Sequence, residues 1–400
     1  MTRYVIIGLG VAGATAAEEI RRRDPRGGIT ILNGEGIPFY FRPAISWLLM
    51  GKITAGEVYA RPADWARKRN LAIINEKAAS VNALLKTVTT ESGREIAYDK
   101  LLVTSGAQAA KPQWAGVDLR GVFTYRALGD ALAIAEHVKY VGAKTAVVVG
   151  GGILGVELAE VFRQMGLAVT LAIRGERILT HLFDETASSI VQRRMESEDV
   201  KIVTGAKVKS ITGNDGRVNG AQLESGESLA CDIVTVAAGS TPDAGFLHGS
   251  GLTQDGRLRV NDHMETVAQD VYSAGDVAII EAQAGFTQCR TWLTAAAQGR
   301  MAGANMTGAG LTIDGAKSFF NASTVFGGLY AVIGRFDAPE GGAIQNRVIS
   351  HSDGAYVKIV TENGKIIGGV CLGDMRAAQP IRRAVLERRD WNDGEISGRG

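Results

Sequence analysis

Two glycine fingerprints, each set between an apolar strand-like run and a helix-like segment, constrain the fold of this chain most strongly. Gly8, Gly10 and Gly13 follow the apolar residues 4–7 and open a segment of helical periodicity. In a dinucleotide site the first glycine permits a tight turn, the second lets the backbone approach a pyrophosphate, and the third lets the helix pack against the strand. The pyrophosphate then lies at the helix N-terminus.

The same pattern returns 142 positions later (150 − 8), where Gly150, Gly152 and Gly155 follow the valines of residues 147–149. A single fingerprint is weak evidence, but here each copy follows a buried-type strand and opens a helix, which is the context that supports a nucleotide site. The sequence therefore predicts an α/β protein with two Rossmann-like dinucleotide-binding domains.

Composition excludes several other classes of function. The 400 residues carry 44 basic and 42 acidic side chains, a net charge of +2, without a long basic run, which argues against nucleic-acid binding. We expect a cytoplasmic protein without membrane association, because the first strand begins near residue 4 and no apolar run reaches membrane-spanning length. The three cysteines and five histidines are too dispersed for a metal site, a disulfide framework or an iron–sulfur cluster.

The second strand, residues 29–32, ends where an acidic residue is expected to bind the adenosine ribose. Asn33 occupies that place, and Glu35 follows two positions later. We predict Glu35 as the anion that binds the ribose and Asn33 as its helper. Arg42 and Pro43 close an aromatic loop, and the guanidinium could pair with a pyrophosphate or simply be solvated.

Two further turns have the small residues that close passage over a nucleotide requires. Ser105 and Gly106 follow the strand at residues 101–103, and Gly275 and Asp276 follow a short strand at residues 271–273. Asp276 after a permissive glycine suits the hydroxyls of a ribityl chain. A helix of small residues at 292–306 follows.

The second nucleotide site differs at its strand end, residues 168–172. Ile173 stands where a carboxylate would select NADH, and Arg174 and Arg177 follow. The arginines suit the 2′-phosphate of NADPH, but a solvent-facing pair of arginines is an equal alternative.

Changes in pattern predict the domain boundaries. We expect an FAD-binding domain at residues 1–111, an NAD(P)-binding domain at 112–242, the rest of the FAD-binding domain at 243–312 and a small α+β interface domain at 313–400.

The order of the motifs GLGVAG, YFRP, TSGA, GGGILGVE, GSTP and YSAGDVA resembles the two-dinucleotide-binding flavoproteins of the pyridine nucleotide-disulfide oxidoreductase family. The resemblance lies with the branch of rubredoxin reductases, the FAD domain of nitrite reductases and the NADH:acceptor subunit of phenylglyoxylate dehydrogenase. It implies that the first fingerprint, Arg42, Ser105, Gly106 and Asp276 bind FAD, and that residues 150–157 bind the nicotinamide nucleotide.

Two departures from these relatives bear on the chemistry. Members that reduce disulfides or peroxides carry a cysteine in the loop that here spans residues 42–50, and this chain has none there. Several ferredoxin and rubredoxin reductases carry a lysine near flavin N5, at a position that falls on Trp47.

The expected reaction is hydride transfer between NAD(P)H and FAD, in either direction, with Glu157 orienting the nicotinamide carboxamide. Alternatively, Glu157 stabilises the first helical turn. Because the chain has no redox-active cysteine pair or cluster motif, we expect the electrons to go to, or come from, a separate iron–sulfur protein or subunit. The C-terminal domain could also form an oligomer. Other possible functions are thiol or peroxide reduction, and nucleotide sensing through partner binding.

Overall fold

The computed structural model describes residues 1–254, 256–280, 291–312, 319–352 and 354–390. Their strands are β1 (Arg3–Ile7), β2 (Gly28–Leu32), β3 (Leu71–Ile74), β4 (Ala78–Asn82), β5 (Thr87–Thr90), β6 (Glu95–Ala97), β7 (Lys100–Val103), β8 (Ala107–Ala109), β9 (Val122–Thr124), β10 (Thr145–Val149), β11 (Ala168–Ala172), β12 (Val200–Val203), β13 (Val208–Asn214), β14 (Arg217–Leu223), β15 (Ser228–Ala230), β16 (Ile233–Val236), β17 (Ser240–Pro242), β18 (Leu258–Val260), β19 (Val271–Ser273), β20 (Ala278–Ile280), β21 (Phe320–Val325), β22 (Gly328–Gly334), β23 (Ile344–Ser352), β24 (Ala355–Glu362) and β25 (Lys365–Leu372). Their α-helices are α1 (Val11–Arg23), α2 (Ile45–Leu49), α3 (Trp65–Lys68), α4 (Leu128–Val141), α5 (Ile153–Gln164), α6 (Glu185–Ser197), α7 (Trp292–Met306) and α8 (Ala378–Glu387).

The chain forms two compact units, each assembled from three segments. The first unit contains residues 1–41, 56–108 and 241–319, and the second contains residues 42–55, 109–240 and 320–400. The short segment at residues 42–55 thus belongs with the second fingerprint. Each unit is described separately below.

The first unit is built on a parallel sheet in the order β19-β7-β1-β2-β3. Strand β1 is apolar on both faces, since Tyr4 and Ile6 join one core cluster while Val5 and Ile7 join another. Burial on both faces is characteristic of parallel sheets covered by helices. Helix α1 packs against α7, where Gly299 and Gly303 let the two backbones approach closely.

The second unit repeats this plan with a parallel sheet in the order β12-β11-β10-β16-β9. Its last segment forms an antiparallel sheet, β21-β22-β25-β24-β23, covered by α8. Helix α8 is amphipathic and buries Ile381, Ala384 and Val385 against this sheet. The predicted α/β fold with two Rossmann-like domains and a C-terminal α+β part is confirmed.

An ionic cluster ties the antiparallel sheet to α6 within the second unit. Asp184 caps α6 by accepting from the backbone N–H of Ala187 at 3.1 Å, and it also accepts from Tyr356 Oη at 2.8 Å and Lys358 Nζ at 2.9 Å. Burial opposes ionisation of Asp184, but these donors outweigh it and lower its pKa. In the described part of the chain, no helix is long and apolar enough to cross a membrane.

Candidate functional site

The first fingerprint forms the tight strand-to-helix turn that its glycines predict. Gly8 has a φ of +104°, and an added Cβ there would collide with the carbonyl of Thr104. A Cβ at Gly13 would collide with the carbonyl oxygen of Gly8, so α1 and β1 can pack closely only with glycine at this position. Gly10 is the N-cap of α1 and faces open space, since no atom lies within 4 Å of a Cβ built on it.

Several strand ends of the first unit gather beside this turn. The side chain of Thr104 donates to the carbonyl of Ile7 at 2.9 Å, which places Ser105 and Gly106 next to the fingerprint. Ser105 Oγ donates to the carbonyl of Asp243 at 2.6 Å. Because the carboxyl ends of parallel strands share one edge of a sheet, these turns line the crevice where such folds bind ligands.

Gly275 and Asp276 follow β19, and Gly275 lies beside the helix that the first fingerprint opens. Gly275 has a φ of +80°, and its added Cβ would lie 3.3 Å from the Cβ of Ala12 in α1. The backbone N–H of Gly275 donates to the buried Gln298 side chain at 2.8 Å, which fixes the turn. Asp276, the next residue, is half-buried.

The two residues predicted to bind the ribose have different partners. Asn33 is buried, and its amide donates to the carbonyl of Ile37 and to Asn75 Oδ1, both at 2.9 Å. Glu35 is exposed and accepts from Tyr40 Oη at 2.8 Å. Asn33 therefore shapes the loop, whereas Glu35 presents its carboxylate at the surface.

The second fingerprint has the same backbone geometry as the first. Gly150 has a φ of +126° and abuts the carbonyl of Ala237, and an added Cβ at Gly155 would collide with the carbonyl oxygen of Gly150. Gly152, the N-cap of α5, faces open space as Gly10 does.

The strand end beside this fingerprint offers one exposed cation. Ile173 is fully buried and Arg174 is exposed. Arg177 lies 3.3 Å from Ser188 Oγ and 3.5 Å from the carbonyl oxygen of Phe183, so its guanidinium is held against α6.

Glu157 lies in the second turn of α5 and bonds outside its own helix. Its Oε1 accepts from Ser46 Oγ at 2.6 Å, and Ser46 Oγ lies 2.8 Å from Tyr125 Oη. Burial raises the pKa of Glu157, and the nearby charge of Glu160 adds to this effect, while the hydrogen bond from Ser46 opposes it. A carboxyl group with a raised pKa beside buried hydroxyls is typical of functional sites.

Arg42 and Pro43 lie in the second unit, in a short 3-10 helix before α2. Arg42 is half-buried, and its Nη1 donates to the carbonyl of Arg126 at 2.8 Å. Trp47, in α2, exposes 43% of its surface.

Two cysteines lie in the described residues, and both are buried. Burial raises the pKa of Cys231 and of Cys371 to about 12, so each thiol stays protonated at neutral pH. Cys289 lies outside the described residues.

Both fingerprints fit a dinucleotide. Each helix begins at a glycine that has no side-chain cap and open space around its Cβ position, and neither helix has an acidic residue in its first turn. The first N–H groups of such a helix suit a diphosphate. The fold and these two sites define a protein that binds two dinucleotides, the architecture expected of a flavoprotein with a nicotinamide coenzyme.

Comparison with known proteins gives the family. The pyridine nucleotide-disulphide oxidoreductase family matches residues 2–299, and the chain belongs to this family. Rubredoxin-NAD(+) reductase of Pseudomonas putida is 32% identical over 69% of this chain and 71% of its own length. The epsilon subunit of the NADH-dependent phenylglyoxylate dehydrogenase of Aromatoleum evansii is 30% identical over 97% of this chain and 92% of its own.

A ferredoxin reductase from Rhodopseudomonas palustris has the same fold, with a TM-score of 0.91 and 22% identity over 100% of this chain and 98% of that one. Homologues in the family use FAD and NAD(P)H, and this chain is an FAD-dependent NAD(P)H oxidoreductase. Both cofactors predicted from the sequence are confirmed.

The structure brings together Gly8, Gly13, Ser105, Gly106, Gly275 and Asp276 in the first unit, and Gly150, Gly152, Gly155, Arg174 and Glu157 belong to the second. Sequence reasoning missed Ser46 and Tyr125, which lie 111 and 32 positions from Glu157 (157 − 46 and 157 − 125). The weak signal for Ser46 was a small polar residue inside the otherwise apolar segment after Pro43.

Proposed function

We propose that this chain transfers electrons between NAD(P)H and a separate iron–sulfur protein or subunit through FAD. Homologues of this family pass electrons to iron–sulfur proteins, rubredoxin among them. The observation that carries the proposal is the chemistry of the cysteines. The loop at residues 42–50 contains none, and the two that the structure describes are buried thiols with a pKa of about 12. Neither described thiol is therefore suited to take up the electrons, which favours an acceptor outside the chain.

FAD is assigned to the first fingerprint. In this proposal the N–H groups beside Gly10 hold its pyrophosphate, Glu35 binds the adenosine ribose, and Asn33 holds the loop that carries Glu35. Ser105, Gly106, Gly275 and Asp276 contact the ribityl side, and Arg42 and Pro43 complete the cofactor site. When bound there, FAD would supply the chemistry that links two-electron hydride transfer from the nicotinamide to one-electron transfer to an acceptor.

The nicotinamide coenzyme is assigned to the second fingerprint. Gly150, Gly152 and Gly155 leave room for its pyrophosphate. Glu157 accepts a hydrogen bond from the carboxamide and so fixes the face of the ring that is presented. The alternative role of Glu157, in its own first helical turn, is disfavoured by its bond to Ser46.

The choice between NADH and NADPH depends on Arg174. Ile173 contributes no acceptor for a 2′-hydroxyl, and Arg174 is exposed beside it, as a 2′-phosphate requires. Arg177 is held by Ser188 and the Phe183 carbonyl, so Arg174 is the better candidate to contact the phosphate. The relative from Aromatoleum evansii is NADH-dependent by name.

We assign docking of the iron–sulfur acceptor to the outer face of α8, whose arginines would attract an acidic protein. Arg382 and Arg383 are exposed there, with Arg382 packed 4.5 Å over the ring of Phe320. Arg388 and Arg389 follow at the end of the helix, although Arg389 also pairs with Glu387. The other basic cluster, residues 67–69, is paired with Asp64 and Glu18 and so attracts an acidic partner less.

We further propose that residues 1–111 and 243–312 form the FAD-binding domain and that residues 112–242 form the NAD(P)-binding domain. Residues 313–400 then form an interface domain. Its five-stranded antiparallel sheet has exposed edge strands, β21 and β23. Such edges suit contact with a partner or with a second copy of the chain.

The test is turnover with different acceptors. The purified FAD-loaded chain is supplied with NADH or NADPH and, separately, with rubredoxin, a [2Fe–2S] ferredoxin, oxygen and a small disulfide. We expect an iron–sulfur protein to be reduced many-fold faster than the other acceptors, and Arg383→Glu to weaken the salt dependence of this reaction. Faster consumption of oxygen or of the disulfide would refute the proposal.

A further inference from the structure

The carboxylate of Glu157 accepts from the hydroxyl of Ser46, which is itself bonded to the hydroxyl of Tyr125, and both come from distant parts of the second unit. Ser46 comes from α2, and Tyr125 comes from the segment after β9. Their side chains are almost completely buried, with 1% and 2% of their surfaces exposed. Distances of 2.6 Å and 2.8 Å link Glu157 to Ser46 and Ser46 to Tyr125, so the three groups form a continuous hydrogen-bond chain.

The direction of donation in this series of hydrogen bonds can be derived. A serine hydroxyl has one proton, and since Ser46 donates it to ionised Glu157, Tyr125 must donate to Ser46. Burial raises the pKa of Tyr125, so the phenol keeps its proton. If Glu157 binds a proton, both hydroxyls can rotate. The direction of donation then reverses, so that Glu157 donates to Ser46 and Ser46 donates to Tyr125. Both protonation states of Glu157 are therefore hydrogen-bonded.

The other titratable groups around Glu157 do not favour its ionised form. Glu160, on the same helix, has the same charge, and Tyr330 of β22 is a buried phenol whose own pKa is raised by burial and by Glu157. The charge of Asp130 in α4 likewise raises the pKa of Tyr125. Among the interactions described for Glu157, the bond from Ser46 is the one that stabilises the carboxylate.

We propose that Ser46, itself fixed by Tyr125, is a positioning residue that holds Glu157 toward the nicotinamide coenzyme and lets it bind and release a proton without losing its hydrogen bond. This inference rests on the proposed function, in which Glu157 contacts the coenzyme. It assigns Ser46 and Tyr125 a role in the reaction although neither touches the coenzyme.

The first experiment measures the dissociation constants of NAD⁺ and NADP⁺ for the FAD-loaded chain between about pH 5 and pH 9, a range that covers a raised carboxyl pKa. Ser46→Ala should weaken binding of the preferred coenzyme about tenfold, as expected for loss of a hydrogen bond to a charged group. It should also move the midpoint of the pH dependence to higher pH, because the lost bond favoured the ionised form. Tyr125→Phe should move it by less in the same direction.

Two control variants separate positioning from loss of structure. Ser46→Thr keeps the hydroxyl and should restore the wild-type midpoint. Thr361→Ala removes another buried hydroxyl of the second unit, one that donates to the Gln345 carbonyl in the antiparallel sheet, and should leave the midpoint unchanged. An unshifted midpoint in Ser46→Ala, or an equal shift in Thr361→Ala, would overturn the inference.

A second readout needs no coenzyme. Infrared difference spectra of the FAD-loaded chain across the same pH range should contain a protonated carboxyl band that Glu157→Gln removes and Ser46→Ala shifts to a higher midpoint. If Glu157→Gln leaves coenzyme binding unchanged, the proposed contact of Glu157 fails. If Glu157→Gln weakens binding but Ser46→Ala changes neither readout, only the positioning role fails.

Discussion

The two fingerprints share one backbone geometry but differ in what surrounds it. In both, the first glycine has a positive φ and abuts a neighbouring carbonyl, the second faces open space, and the third contacts the carbonyl oxygen of the first. Two positions beyond the third glycine, Thr15 in α1 and Glu157 in α5 occupy equivalent places. Thr15 donates to backbone carbonyls, that of Val11 in its own helix at 2.7 Å and that of Ala296 in α7 at 3.2 Å, whereas Glu157 accepts from the side chain of Ser46.

This difference distinguishes the glycine turn, which the two sites share, from the surrounding side chains, which differ. The glycines make a place for a diphosphate, which FAD and NAD(P)H have in common. In the function that we propose, side chains just beyond the glycines and at the neighbouring strand ends select the nucleotide and orient its reactive part. The first unit presents Glu35 there, and the second presents Arg174 and Glu157.

The largest expected effect comes from adding a methyl group to the first glycine of either fingerprint. Gly8→Ala should abolish FAD binding, because its Cβ would collide with the Thr104 carbonyl and its φ is strained for alanine. Gly150→Ala should keep FAD but lose affinity for the coenzyme. FAD content after gel filtration and coenzyme titration measure the two effects. Gly142→Ala, with a positive φ but open space, is the control and should affect neither site.

The next effect concerns the ionic cluster of the second unit. Asp184→Asn should cost about 2 kcal/mol of unfolding free energy, because Lys358 stays nearly buried without its carboxylate partner. The folded-state pKa of Asp184 is lowered, so its stabilisation is present above the unfolded pKa near 4 and disappears as the pH falls through the folded value. Denaturant unfolding of wild type and variant at several pH values measures this.

The exposed pair of Asp118 and Lys111, also in the second unit, supplies the control for that experiment. Asp118→Asn should change the unfolding free energy by less than about 0.5 kcal/mol, as is usual for surface ion pairs. An equal loss in both variants would mean that Asp184 contributes no more than a surface charge.

Local patterns predicted the glycine turns, since each fingerprint is specified by consecutive residues that dictate strand, turn and helix. The strand end at Ile173 and Arg174 was predictable for the same reason. Ser46 and Tyr125 were not, because only tertiary packing places them beside Glu157. The cluster of Asp184 and Lys358, 174 positions apart (358 − 184), likewise has no periodicity that sequence could reveal.

A smaller effect is expected at the strand end of the second site. Arg174→Ala should raise the Michaelis constant for NADPH about tenfold and leave that for NADH nearly unchanged, if its guanidinium binds the 2′-phosphate. Steady-state kinetics with both coenzymes measure this, and Arg193→Ala, an exposed arginine of α6, is the control. Equal effects on both coenzymes would leave Arg174 without a role in the choice.

The ionised form of Glu157 should slightly lower the free energy of unfolding, an effect that the uncharged Thr15 cannot have. Burial raises its folded-state pKa above the ordinary value of 4.5, so the native state loses stability as the pH rises from there through the folded value. Glu157→Gln should therefore be at least as stable as wild type at pH 8, and the difference should vanish at low pH. Glu136→Gln, at an exposed position of α4, should show no such trend in thermal unfolding.

The smallest effect is expected from the cysteines. Replacing Cys231, Cys289 and Cys371 together by serine should leave dye reduction by NAD(P)H largely unchanged, because the two described thiols stay protonated and buried. Loss of turnover in a variant that remains folded, as judged by its circular dichroism and FAD content, would restore thiol chemistry as an alternative.

The central claim is that a coenzyme bound at the second fingerprint reduces FAD bound at the first. Anaerobic stopped-flow mixing of the FAD-loaded chain with NADH or NADPH, each also deuterated at the transferred position of C4, tests it most directly. We predict rapid loss of the flavin's visible absorbance, slowed by deuterium, and a large decrease in its rate in Gly150→Ala. A flavin that stays oxidised, or one that is reduced equally fast in Gly150→Ala, would contradict the claim.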